Sequence, residues 1–181
     1  RLSAFLLVAL GDHLPAPYLP TVVFVLSGGV AMATGSSWGT MAVMFPVVFQ
    51  LAWRIGRGDE EVLIAALSSI LAGAVFGDHV SPISDTTILS AIATRCPAPD
   101  HVATQAPYAF VCALLAVLFG TLCNSAAGVD AGVCTLLSLA AIVVAPPPPP
   151  PRSLWLRRCL ASALPPSRGR GAGGRGGAGS R

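Results

Sequence analysis

The stretch Gly77-Asp78-His79-Val80-Ser81-Pro82-Ile83-Ser84-Asp85-Thr86-Thr87 constrains this chain more than any other. An apolar run, Val62 to Phe76, leads into it, and Ile88 to Ala93 is apolar again. Two carboxylates, one imidazole and several hydroxyls thus stand inside material of membrane character. Charge is expensive to bury in hydrocarbon, so an ionisable residue at that depth marks a functional site. A hydrophobic segment interrupted by Gly and Pro also points to the binding site of a transporter. Composition agrees: of 181 residues 54% are hydrophobic and only 10% charged, with a mean hydropathy of +0.72. A soluble domain carries about a quarter charged residues. The expected fold class is all-α: a polytopic membrane protein with broken or re-entrant helices.

Pro82 lacks an N–H and disfavours helix at Ser81, so the left-hand helix should stop near Gly77. Pro suits the first turn of a following helix, which Ser81 or Ser84 can cap. Two half-helices then meet at an unwound link. Asp78 falls at the C-terminal end of the first half, where free carbonyls make a carboxylate unfavourable unless a cation or proton joins it. Asp85 falls in the first turn of the second half, where negative charge is welcome. Oxygen-only ligands suit a hard cation such as Na⁺. The plain alternative is that Asp85, Ser81 and Ser84 only cap a helix.

A second break, Gly35-Ser36-Ser37-Trp38-Gly39-Thr40, interrupts an apolar stretch from Thr21 to Trp53. That stretch is long for one span and short for two, since a span needs about 20 residues. It reads as a broken helix or a re-entrant hairpin. Backbone freed at such a tip is tolerated only beside protein or water. Ser36, Ser37 and Thr40 are candidate Na⁺ ligands there, alongside Asp78, Asp85, Ser84 and Thr87. Asp78 and His79 are the candidates for proton coupling. A kink with satisfied hydroxyls, and a purely structural histidine, are the plain alternatives. Trp38 is read as an interfacial anchor or as packing against the site.

The segment "GDHVSPISDTTILSA" resembles the signature of the NhaC-type Na⁺/H⁺ antiporters, and "ATGSSWGTMAVMFP" at Ala33–Pro46 resembles a second segment of that family. With their flanks they cover roughly residues 20–145. Val80 departs from the family pattern, which commonly has a small or thiol residue there. The resemblance implies a multi-pass exchanger coupling Na⁺ to H⁺ and needing no cofactor. Some relatives exchange organic anions such as malate and lactate, so the substrate is left open.

The rest of the chain fits that frame. Ala65, Ser69, Gly73 and Gly77, four residues apart, form a small stripe that lets another helix approach closely. Arg54 to Glu61 reads as a short aqueous loop, with Asp59, Glu60 and Glu61 suited to a helix start. Arg95–Ala106 reads as a loop, with His101 at the surface. Pro107–Cys123 reads as a span with a small pair, Ala116 and Gly120, and Val129–Ala145 as a shorter one. If Val62–Thr94 is re-entrant, Arg54, Arg57 and Arg95 share one side, which the positive-inside rule makes cytoplasmic. None of the five cysteines forms a CxxC pair, so neither zinc nor a redox site is supported. Cys112, Cys123 and Cys134 read as small core residues.

Two parts are expected: 1–145 as membrane transporter domain and 146–181 as a Pro-rich, then Arg/Gly-rich, disordered tail. A tail with no selected role is the first reading; after it, the arginines favour anionic lipid head groups over nucleic acid. Leu2–Leu10 is too short to span and reads as the end of a severed segment, with the missing N-terminal part of the same protein as an expected partner. Asp12-His13 lies in a Pro-rich break between spans. The sequence holds no HExxH or P-loop, and a hydrolase's nucleophile elbow would need a strand–helix turn, whereas the surroundings here are not α/β, so no enzyme is expected. The alternatives to Na⁺/H⁺ exchange are Na⁺-coupled exchange of an organic acid and a non-transporting fragment.

Overall fold

The computed structural model describes residues 14–120 and 128–144. The expectations for Asp12-His13, Leu2–Leu10, Cys123 and the tail at 146–181 lie outside these residues. The described residues are all-helical: a short 3-10 turn at Ala16–Tyr18, then α1 (Leu19–Thr34), α2 (Ser37–Ile55), α3 (Glu60–Val80), α4 (Asp85–Thr94), α5 (Ala98–Leu115) and α6 (Ala131–Val144). Among the described residues three stretches are long and apolar enough to cross a membrane: Ala16–Thr34, Glu60–Val80 and Ala98–Gly120.

The helix boundaries follow local chemistry. Gly35 ends α1 in the left-handed region (φ 67°), its N–H bonded to the Ala31 carbonyl, which a residue without Cβ does at little steric cost. Ser36 turns extended, and its hydroxyl accepts from the Gly39 N–H to cap α2. The Asp59 carboxylate accepts from the Glu61 N–H and caps α3, with Glu60 and Glu61 in the first turn, as the acidic run predicts. The second break is shorter than expected: it is Gly35 and Ser36 alone, and Ser37 to Thr40 already belong to α2.

Helices α1 and α3 run side by side in the same direction. Gly73 lies against the Phe24 carbonyl, Gly77 against the Gly28 carbonyl, and the Ser81 hydroxyl donates to the Met32 carbonyl at 2.9 Å. The small stripe is the surface that permits this approach, with Ser69, Gly73 and Gly77 buried. Helix α2 runs the other way: Val48, Leu51 and Ala52 near its end pack with Leu19 and Val23 near the start of α1, and with Ala66 and Ile70 of α3. Both breaks therefore lie at one end of the bundle, where Ile83 would stand 2.9 Å from a Cβ added to Gly35.

Helix α3 passes Gly77 and continues to Val80. Gly77 serves close packing, and only the pre-proline Ser81, extended at ψ 126°, ends the helix. Pro82 precedes α4 instead of entering its first turn.

Further expectations are corrected. The segment Arg95–Ala106 is mostly helix, because α5 begins at Ala98 and carries Pro107 inside it. Pro99 sits in the first turn, where a missing N–H costs nothing. The Ala116–Gly120 pair stands in a π-helical turn, residues 116–120, and among the described residues a Cβ on Gly120 would meet nothing within 4 Å. Cys134 is buried as expected, but Cys112 is exposed.

The re-entrant arrangement is also not what the packing gives. Phe110 of α5 meets Phe76 edge-on, with ring centroids 5.5 Å apart. Farther along, Ala116 and Gly120 share a cavity of about 760 Å³ with Pro20, Glu61 and Ile64. So α5 runs antiparallel to α3 and starts at the end where the breaks lie. Pro82 breaks the helix without turning the chain back. Arg54 and Arg57 thus sit at one end of the bundle and Arg95 at the other. Cysteine-accessibility labelling of the intact protein should place probes at residues 57 and 100 on opposite membrane faces. The same face for both would refute this topology.

Candidate cation site

The site is built where four helix ends meet. Helices α1 and α3 bring their C-terminal ends, which carry partial negative charge, and α2 and α4 start there with their positive ends. Two links bind these ends together: the Ser81 hydroxyl on the Met32 carbonyl, and the seat of Ile83 against Gly35. Ser81 also accepts from the Ile83 N–H at 3.4 Å, which holds the link in place.

Asp78 lies in the last turn of α3, 4% exposed. Its Oδ1 accepts from the Ser84 hydroxyl at 2.7 Å and its Oδ2 from the Thr86 hydroxyl at 2.9 Å. The Ser84 and Thr86 hydroxyls are themselves 2.8 Å apart. Four oxygens from the two sides of the break thus close a ring. Ser84 is fully buried and occupies the cap position of α4, but its hydroxyl serves Asp78 and makes no cap bond. A buried carboxylate left without such donors would be costly.

Of the residues singled out in sequence, Asp78 and Ser84 come together here. Thr87 is buried on the same helix start, at 4% exposure. Asp85 is exposed, and its Oδ1 accepts from the Thr86 N–H at 2.8 Å, a helix-start contact. Thr40 is buried and donates to the Ser36 carbonyl at 2.9 Å, with the Thr34 hydroxyl 3.3 Å away. Ser36 caps α2, and Ser37 is half-buried in its first turn. No hydrogen bond among the described residues joins Ser36, Ser37 or Thr40 to Asp78, although their break adjoins its link. His79 is exposed, holds the Val75 carbonyl through Nδ1 at 3.1 Å, and lines a different cavity with Gln105 and Tyr108. Trp38 is 82% exposed and does not pack on the site.

Thr86 escaped the sequence reading. Thr86 and Thr87 are adjacent and chemically alike, and only the rotation of α4 about its axis chooses between them. The spacing Ser84-x-Thr86 at a helix start carried the one available signal.

Broken helices whose ends surround a buried carboxylate, within a bundle of membrane-length helices, define a multi-pass membrane transporter. The family model for the Na⁺/H⁺ antiporter family matches residues 6–122. The chain belongs to the Na⁺/H⁺ antiporter family, of the NhaC type. It is 46% identical over 97 residues to an uncharacterized protein of Haemophilus influenzae, a match that covers 54% of this chain and 18% of that one. It is 32% identical over 107 residues to an uncharacterized Na⁺/H⁺ antiporter of the same organism, covering 57% of this chain and 22% of the relative. It is 36% identical over 73 residues to a malate-2H⁺/Na⁺-lactate antiporter of Bacillus subtilis, covering 40% of this chain and 15% of the relative. The matched stretches thus make up about a fifth of these curated relatives. No solved structure matches the chain.

Proposed function

We propose that the transporter carrying this segment exchanges Na⁺ for H⁺, and that both ions use the oxygens around Asp78. The oxygen ring carries the reading. It has three contacts, of 2.7, 2.8 and 2.9 Å. Two hydroxyls bring two protons, so an ionised carboxylate leaves one contact without a proton. A proton on Asp78 fills it and completes the ring. A Na⁺ among the oxygens is the other solution: the hydroxyls turn their lone pairs to it, and the carboxylate neutralises it. One carboxylate that holds either ion but not both gives obligatory exchange.

Thr87, and Ser36, Ser37 and Thr40 across the adjoining break, extend this set of oxygens when helix ends shift. Asp85 adds a fixed negative charge that favours the cation. A second reading, Na⁺-coupled exchange of an organic acid, draws on the similarity to the malate-2H⁺/Na⁺-lactate antiporter of Bacillus subtilis. It needs a cationic partner for a carboxylate, and Arg54, Arg57 and Arg95 lie at the two ends of the bundle.

In sealed vesicles holding the intact protein, lowering the pH should raise the Na⁺ concentration needed for half-maximal exchange, because protons compete for the same oxygens. A maximal rate that falls while the half-maximal concentration stays fixed would speak against a shared site. Exchange that depends on added malate or lactate would favour the second reading.

A further inference from the structure

We propose that Thr86 is the outer ligand of the cation site and determines which alkali cation it takes; this rests on the reading of Asp78 given above. The ring is lopsided in its burial. Ser84 is fully buried and Asp78 is 4% exposed, whereas Thr86 is exposed in this chain. A cation approaching the carboxylate therefore meets the Thr86 hydroxyl first.

The ring is also lopsided in its mechanics. Ser84 and Thr86 both reach Asp78 of α3 from the far side of the break, at 2.7 and 2.9 Å. Ser84 ends the link, whereas Thr86 lies inside α4, so a swing of α4 about the link carries Thr86 farther than Ser84. The 2.9 Å length of the Thr86–Asp78 contact is that of a hydrogen bond. An ion of calcium's size holds oxygens about 2.4 Å away, which sets neighbouring ligands at right angles roughly 3.4 Å apart. Na⁺ is of that size, so it fits only if Thr86 moves outward with α4. An ion of magnesium's size, with oxygens about 2.0–2.1 Å away, sets them roughly 2.9 Å apart. Li⁺ is of that size and fits the ring almost as it stands. The swing available to Thr86 thus sets the balance between Na⁺ and Li⁺.

Thr86→Val keeps the shape and removes the oxygen, Thr86→Ala removes both, and Thr86→Ser keeps the oxygen. Because Thr86 is exposed, none of these empties a packed core. The intact protein in sealed vesicles is assayed with Na⁺ or Li⁺ at fixed pH, beside Asp78→Asn and with folded protein measured for each variant. Removing a ligand from a cation should raise the half-maximal Na⁺ concentration about tenfold or more in the Val and Ala variants. The ratio of half-maximal Li⁺ to Na⁺ should change with it, and the Ser variant should stay near the unaltered protein. If Val alone fails to fold, Ala decides. A fall in maximal rate with unchanged half-maximal concentrations and ratio is the mark of a merely structural residue and overturns the proposal. With Asp78→Asn inactive, normal Val and Ala variants overturn the assignment of Thr86 alone. Normal exchange by Asp78→Asn overturns the site reading beneath it, and the assignment of Thr86 falls with it.

Discussion

Gly77→Ala and Gly73→Leu are expected to leave little folded protein in the membrane. Replacing Gly by Ala inside a helix ordinarily gains up to about 1 kcal/mol from helix propensity. Here packing reverses the sign. A Cβ on Gly77 would collide with the Gly28 carbonyl and stand 2.8 Å from both the Ala31 Cβ and the Met32 nitrogen. A Cβ on Gly73 would collide with the Phe24 carbonyl and the Ser27 hydroxyl. These obstacles are mostly backbone, which cannot swing aside as a long side chain can. Overpacking typically costs about 1–3 kcal/mol, and separating two helices along their whole contact costs more. Within a bilayer the lipid tails are as apolar as leucine, so close packing is what holds α1 to α3. Gly29→Ala is the control in α1, since nothing lies within 4 Å of its Cβ position. Met44→Leu is the control in the core fringe, a swap of similar volume that costs less than about 1.5 kcal/mol. Monodisperse protein recovered in detergent, and its thermal midpoint, provide the measurement. Equal yields and midpoints for Gly77→Ala and Gly29→Ala would show that the α1–α3 contact is not as close as described.

That same stripe shows what could be read without coordinates. Four-residue spacing of small residues identified the packing face of α3, because helix periodicity alone decides which side chains share a face. It could not say which helix would fill the face, and the residues of α1 that do so lie 49 positions before their partners in α3. Pro82 correctly announced a break, since its restriction on Ser81 is local. The reading of Gly77 as the helix end failed because glycine serves both chain termination and close approach, and only the neighbour α1 distinguishes them. The direction in which the chain leaves the break was likewise not legible: a proline interrupts hydrogen bonding but does not choose between turning back and going on. Asp78 stood out because a buried carboxylate is costly wherever it occurs. Its partner Thr86 did not, because a hydroxyl at a helix start is ordinary until a carboxylate is seen opposite it.

The substitution Asp78→Asn should abolish coupled exchange while leaving the fold intact. The amide has nearly the shape of the carboxyl group, and its hydrogen-bonding capacity matches one state of the site. Its NH₂ can donate to Thr86, the Thr86 hydroxyl to Ser84, and the Ser84 hydroxyl back to the amide oxygen, along the three contacts already present. Asn is in this sense a permanent copy of the proton-loaded ring. It cannot release that proton and cannot neutralise Na⁺. Loss of one charge-assisted interaction in a buried place, about 3 kcal/mol, corresponds to at least a hundredfold or so in Na⁺ affinity. Na⁺-driven proton movement should fall to that extent, and any remaining flux should lose its dependence on pH. Asp85→Asn provides the contrast. That side chain is exposed and accepts from the Thr86 N–H, so its loss should weaken Na⁺ binding only several-fold and leave the pH dependence in place. Vesicle assays over a range of pH, with the folded amount of each variant measured, separate these outcomes. Normal, pH-dependent exchange by a well-folded Asp78→Asn variant would rule out a shared site at Asp78. Equal defects from Asp78→Asn and Asp85→Asn would instead move the proton-coupling role away from the buried ring and onto the start of α4.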